Sequence, residues 1–424
     1  QSCIVWQQVF GLASTLPPQG LSGVPNCFYT VLFSLVCISC STTYSKLNEN
    51  DERADIDSET IIIDIDKCRK SDVRLEDIIT DVEYLCLEND GQHVLTIPQN
   101  IKKADSLIYI IDDNEHLYCF NDKGKFVRDV AVQGKAKNEV MKLYDFEIDD
   151  KYVYLLDGMR SAILTFRHNG SFVSSKQLPF RAIRFKKQDK THWLFQLSPY
   201  TLDNKQECFQ VATTDSKFKI ISSKIAYNDG EIVSTRTPYF ENRNNALFYA
   251  PLYRRGVYRL TDKYEWKLAY YFEFHTPYFE TADMAEGQMK AAQDGEYYNY
   301  QNPLHNNRYL IQHFESSKTF RGTMFVDLHS HKALFAERIA TDSNKLLNFS
   351  FENTKYYDVK GKKFYAFTDI YSEGIHSPEE IKKATSHLDD ATKRILVRTK
   401  ESGEPNAVIL MYRIKDGDII KNLE

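Results

Sequence analysis

A chain of 424 residues with 54 Lys+Arg against 59 Asp+Glu carries a net charge of −5, which offers no concentrated basic surface for nucleic acid. With 42% hydrophobic and 27% charged residues, it has enough apolar material to exclude wholesale disorder. Its 17 Gly and 12 Pro, without persistent heptads, exclude collagen-like and coiled-coil architectures, and 27 Tyr and 26 Phe against 6 Met favour strands over helices.

The first 45 residues hold no charged side chain; the first is Lys46. Within them, Cys27–Cys40 (CFYTVLFSLVCISC) is an uncharged apolar run of export-core length, too short to span a bilayer. It ends in small residues and a cysteine, the form of a lipoprotein processing site, so residues 1–39 read as a leader and Cys40 as the lipidated first residue of an envelope protein, anchored in the outer membrane of a Gram-negative bacterium. An ordinary secretory signal cut at a neighbouring serine is the alternative. Cys37 stands where such sites carry Leu, no basic residue precedes the core, and Gln1–Asn26 reads as a mis-set gene start or expression remnant. Residues 40–59 (CSTTYSKLNENDERADIDSE) are polar and acidic, a tether to a domain spanning 60–424. Cys68, Cys86, Cys119 and Cys208 are too irregularly spaced for a zinc cluster; a Cys68–Cys86 disulfide and buried free thiols both stay open.

The folded part is repetitive. Leu107–Asp112 (LIYIID) returns as Tyr152–Asp157 (YVYLLD), and Leu117–Val127, with its Asp-Lys-Gly turn, returns as Ile163–Val173 with His-Asn-Gly. Each unit is a strand ending in Asp, a turn, a strand ending in Phe, a glycine turn that needs positive φ, and a further strand. Weaker copies put unit starts near 107, 152, 192, 247, 308 and 364. A period of about 40–50 residues of strand pattern predicts an all-β, six-bladed β-propeller of four-stranded antiparallel blades. The early strands Ile61–Asp66 and Val82–Leu87 are expected to complete the last blade. Ser377-Pro-Glu-Glu opens a helical insertion continuing through Ile381, Ala384, Leu388, Ala391 and Ile395, and Phe279–Asp294 is a second, weaker candidate helix.

Phe120-Asn-Asp-Lys-Gly-Lys-Phe, the connector Gly134–Tyr144, Phe146-Glu-Ile-Asp and the closing Asn406–Lys415 strand resemble the six-bladed β-propeller lipoproteins of Gram-negative gut anaerobes, relatives of the NHL-type propellers. The resemblance covers roughly Thr60 to Lys415 and implies an exported, lipid-anchored propeller without assigned catalytic residues. The chain departs from it in the connector, where Gly134-Lys-Ala-Lys-Asn-Glu139 replaces a Gly-Pro-Gly-Glu-Tyr type segment.

No phosphate loop, HExxH, GxSxG or dinucleotide turn is present, so no cofactor or metal is expected; His329 and His331 lack a third ligand. The aromatic and basic density between units three and five marks the expected ligand site: Tyr253, Arg254, Arg255, His275, Tyr278, Tyr297, Tyr298 and His305. It suits a glycan or peptide, with rigid apolar planes and polar tips. The leading reading is a binding or scaffold module for a glycan, peptide or envelope protein. The alternative is a lyase or hydrolase acting on polysaccharide or peptide, with Tyr298, His305 and Arg254 as acid, base and charge stabiliser.

Overall fold

The computed structural model describes residues 52–88, 90–203, 205, 209–227, 241–243, 246–251, 254–273, 298–299, 303–316, 320–340, 350–368 and 407–423. The leader, Cys40, Cys208 and both expected helical insertions lie outside them.

Six sheets follow one another along the chain. Blade one comprises Pro98–Ala104, Leu107–Asp112, Leu117–Asn121 and Phe126–Asp129. Blade two runs from Leu143 to Gln177 and blade three from Ala182 to Ala226. Blade four runs from Glu241 to Glu273, and blade five from Tyr298 to Ala340. Blade six takes Thr354–Asp358, Lys363–Thr368 and Val408–Ile414, and its fourth strand, Ile79–Cys86, comes from the other end of the chain. The architecture is a six-bladed β-propeller, closed by pairing the first part of the chain with the last.

Period-two alternation explains why such blades cannot stand alone. In Leu107–Asp112, Ile108 and Ile110 pack into a cluster shared with blade six, while Tyr109 and Ile111 pack into one shared with blade two. Further clusters fill each of the remaining blade seams, so six seams close the ring. The repeated glycine turns have the expected positive φ, 77° at Gly124 and 86° at Gly170. At Gly124 the requirement is also steric, because a Cβ would lie 2.1 Å from the Cys86 carbonyl oxygen.

The N-terminal segment departs from expectation. Only the second early strand closes blade six. The first, Ile61–Asp64, pairs in parallel with the outer strand of blade four, Trp266–Glu273, and Arg69–Arg74 does the same with the outer strand of blade five, Ala333–Ala340. The chain therefore straps blades four, five and six from outside. The strap starts earlier than Thr60: Glu52–Asp55 is a short 3-10 turn with Glu52 buried. The Arg255 N–H donates to Glu52 Oε2 at 2.8 Å, and Asp55 accepts from Lys224 Nζ at 2.5 Å and from the Tyr258 hydroxyl at 3.0 Å. The last residues of the polar segment are thus part of the domain, because their carboxylates satisfy a buried amide and a lysine. Leu75 and Ile78 of the strap pack against the C-terminal Ile419 and Ile420. Cys68, Cys86 and Cys119 are free thiols, and burial raises the pKa of Cys68 to about 11 and of Cys86 to about 12.

Candidate functional site

Antiparallel order puts the first-to-second and third-to-fourth turns of every blade at one face of the ring. The second-to-third turns and the blade-to-blade connections lie at the other, here called the connection face. Arg254 and Arg255 fall in a second-to-third turn and Tyr298 begins the inner strand of blade five, so all three belong to the connection face. His305 ends that inner strand, at the opposite face. Chain order thus puts Arg254 and His305 at opposite ends of their blades, whereas Arg254, Arg255 and Tyr298 share the connection face. Tyr253, His275, Tyr278 and Tyr297 lie outside the described residues.

Of the expected site residues, Arg254, Arg255 and His305 are buried. Arg254 is 7% exposed, with Nη2 donating to the Ala226 carbonyl at 2.6 Å across the seam between blades three and four. Arg255 is 5% exposed beneath the Glu52 turn, and His305 stands edge-on to Phe248 with ring centroids 4.9 Å apart. Trp193 and Trp266 are buried in seams. His329 and His331 occupy a turn capped by Asp327, which accepts the His329 and Ser330 amides, and no group of three metal ligands occurs among the described residues.

On the connection face, blades one to three display exposed apolar side chains among polar ones. The four most exposed large hydrophobic side chains among the described residues are Val132, Met159, Ile97 and Tyr200. Ile97 precedes the inner strand of blade one, Val132 lies in the connection from blade one to two, Met159 in the second-to-third turn of blade two, and Tyr200 with Leu202 in that of blade three. The connector that replaces a Gly-Pro-Gly type segment is rebuilt through a side chain: Glu139 Oε2 accepts the Ala136 amide at 2.8 Å, and the Gly134 amide donates to the Val140 carbonyl at 3.0 Å.

Nearer the axis, the inner strands of blades one to three carry a charged ladder. Glu147 accepts from Lys102 Nζ of blade one at 3.3 Å and from Lys186 Nζ of blade three at 3.0 Å. One step along, Asp145 lies 3.7 Å from Arg184 Nη1 and accepts the Phe185 amide at 3.1 Å. The inner edge of a propeller strand has no neighbouring strand, so its amides need partners. Glu147 Oε1 takes the Ile148 amide at 3.0 Å just as Asp145 takes that of Phe185. Burial alone would raise the Glu147 pKa, but Lys102 and Lys186 reverse this and hold it below the usual carboxylate range. For Asp145, burial outweighs Arg184 and Lys102, and its pKa is raised. At the end of the ladder, Lys187 Nζ donates to Asp149 at 2.6 Å and to the Tyr154 hydroxyl at 2.5 Å, while that hydroxyl donates to Asp149 at 2.7 Å. Every charge of the ladder has an opposite partner within it, and the pairs Lys102–Glu147, Glu147–Lys186 and Asp145–Arg184 join the three inner strands. Sequence reasoning missed it, although a signal exists: Asn100 and Lys102 recur as Asp145 and Glu147 at a spacing of 45, and Glu147 recurs as Lys186 at 39.

Comparison with known proteins agrees with this architecture. A Bacteroides fragilis protein described as exported superimposes with a TM-score of 0.64 at 19% identity, over 84% of this chain and 100% of that one. A member of the DUF4221 family from Bacteroides vulgatus gives a TM-score of 0.46 at 9% identity, over 80% of this chain and 98% of its own. No curated protein matches significantly. A family profile described as a 6-bladed beta-propeller matches residues 49–377, starting at the strap and not at the first full blade. The chain belongs to this DUF5128 family of six-bladed β-propellers.

Proposed function

We propose that this protein is an exported binding or scaffold module whose working surface is the connection face. The observation that carries the reading is the concentration of the most exposed apolar side chains, Ile97, Val132, Met159 and Tyr200, in connections at one face of three adjacent blades. Large apolar groups grouped on one surface are the usual mark of a recognition site. The charged groups of the inner strands of blades one to three, by contrast, are paired with one another. Export is supported by the uncharged Cys27–Cys40 run and by the likeness to a Bacteroides fragilis protein described as exported. Lipidation at Cys40, an outer-membrane anchor, and a glycan, peptide or envelope-protein ligand belong to the same proposal.

A thermal-shift screen of the full chain against oligosaccharides, short peptides and divalent cations tests it. A ligand at about 100 times its dissociation constant adds about 2.7 kcal/mol to native stability. A saturable shift abolished by Met159→Asp supports the connection face as the working surface; shifts unaffected by connection-face substitutions, or none at all, refute it.

A further inference from the structure

We propose that the connection face of blades one to three docks an acidic, apolar polypeptide segment of a partner protein. This rests on the reading of that face as the working surface and narrows its ligand to one class.

The first argument is the chemistry of the exposed side chains. Ile97, Val132, Met159 and Leu202 are aliphatic, with Tyr200 the single aromatic among them. Sugar rings are bound by stacking on aromatic planes, whereas branched aliphatic and thioether surfaces suit the side chains of a polypeptide, and Met adapts its shape to the partner it meets. Val132 at 67% and Met159 at 63% exposure are too open to be seam residues.

Charge supplies the second argument. Lys135 and Lys137 follow Val132 in the same connection and are exposed, and neither has a carboxylate partner among the described residues. The carboxylates nearby are engaged: Glu139 holds the Ala136 amide, Asp157 takes the Met141, Met159 and Arg160 amides, and Glu115 lies 3.6 Å from Lys142. Within this connection Lys135 and Lys137 outnumber the single carboxylate, Glu139, with Lys142 taken up by Glu115, so the net charge beside Val132 is positive and favours an acidic partner.

Rigidity is the third. Arg160 ties the connection to the blade-two turn through Nη1 to the Glu139 carbonyl at 2.8 Å and Nη2 to the Gly134 carbonyl at 3.3 Å, and the Gly158 amide donates to the Lys142 carbonyl at 2.8 Å. Val132 and Met159 are thus displayed from backbone segments locked to each other, and a partner meets a surface whose ordering cost was met on folding.

The test uses fluorescent 12-residue peptides in which Leu or Phe alternates with Asp or Glu, and a matched set with Lys replacing the acidic residues, measured by anisotropy against the full chain. The acidic set is expected to bind saturably, to weaken as salt rises, and to lose at least tenfold in affinity in Val132→Asp/Met159→Asp and again in Lys135→Glu/Lys137→Glu, with thermal melting unchanged. Equal binding of both sets, no binding of the acidic set, or affinity indifferent to these substitutions overturns the proposal. If oligosaccharides shift the melting temperature in a Met159-dependent way while the acidic peptides fail, the working surface stands and its assigned ligand class falls. If neither binds, both fall.

Discussion

The outer strands of blades two and three read FVSSKQ and IISSKIA, and those of blades four and five read WKLAYYFE and ALFAERIA. The first pair ends its sheets in the open; the second lies beneath the strap strands Ile61–Asp64 and Arg69–Arg74. An open edge invites pairing with other chains, and serine and lysine make that pairing unfavourable. A covered edge needs no such defence and can be apolar on both faces. At the axis, the inner strands of blades one to three are joined by the ladder of Lys102, Asp145, Glu147, Arg184 and Lys186. Charge thus joins the inner strands of blades one to three, and the strap covers the outer strands of blades four and five.

The largest effect that sharpens this contrast is expected at the strap. Ile65, fully buried in the seam between blades four and five, should cost about 2–5 kcal/mol on replacement by Ala, whereas Ile220→Ala on the open edge of blade three should stay within about 0.5 kcal/mol. Urea midpoints of the two variants decide; equal losses would erase the distinction.

Lys186→Met should be nearly as damaging, approaching the roughly 3–5 kcal/mol of a buried charge stripped of its partner, because it leaves Glu147 with half its compensation. The two acids of the ladder should then respond to pH in opposite senses. The folded-state pKa of Glu147 is depressed, so its contribution is present above its ordinary value and lost as pH falls through the folded one; that of Asp145 is raised, so its contribution is present at low pH and lost as pH rises. Glu147→Gln should flatten the rise of stability with pH in the acidic range, and Asp145→Asn should steepen it. Stability measured at several pH values for each variant checks the sign independently of how far each lowers the overall level.

A smaller loss, about 1–3 kcal/mol, is expected for Glu52→Ala, which deprives the Arg255 and Gly256 amides of their acceptor. Faster hydrogen exchange at those two amides should accompany it, and unchanged exchange would detach the Glu52 turn from the domain. The smallest effect is predicted for Met159→Asp, within about 0.5 kcal/mol of the parent by thermal melting, since the side chain is 63% exposed.

Much of this division was legible in the residues, in uneven measure. The six predicted unit starts fall on the second strand of each blade, from Leu107 to Lys363, because those strands are buried on both faces and read as unbroken apolar runs. The inner strands escaped notice for the opposite reason. Asn100-Ile-Lys-Lys and Arg184-Phe-Lys-Lys look like solvated segments until their charges are placed against Asp145 and Glu147 of the neighbouring blade. The closing strand Ile79–Cys86 was foreseen, but the pairing of Ile61–Asp64 was not: a β-branched run announces a strand without naming its partner. Arg254 and Arg255 misled because a basic pair beside Tyr253 resembles a recognition turn, and only the fold brings Glu52 and the Ala226 carbonyl to them. Val132 and Met159 carried no signal, since an isolated apolar residue in a connection gains meaning only from neighbours that the ring supplies.

The most direct test of the division is hydrogen exchange, read by mass spectrometry on the intact chain, at the outer strand of every blade. Trp266–Glu273 and Ala333–Ala340, paired on both sides, should be protected to near the level of the seam strands, while Phe172–Gln177 and Ile220–Ala226 exchange markedly faster. Equal protection of all outer strands, or faster exchange in blades four and five, would contradict a strap that covers the outer edges of those two blades.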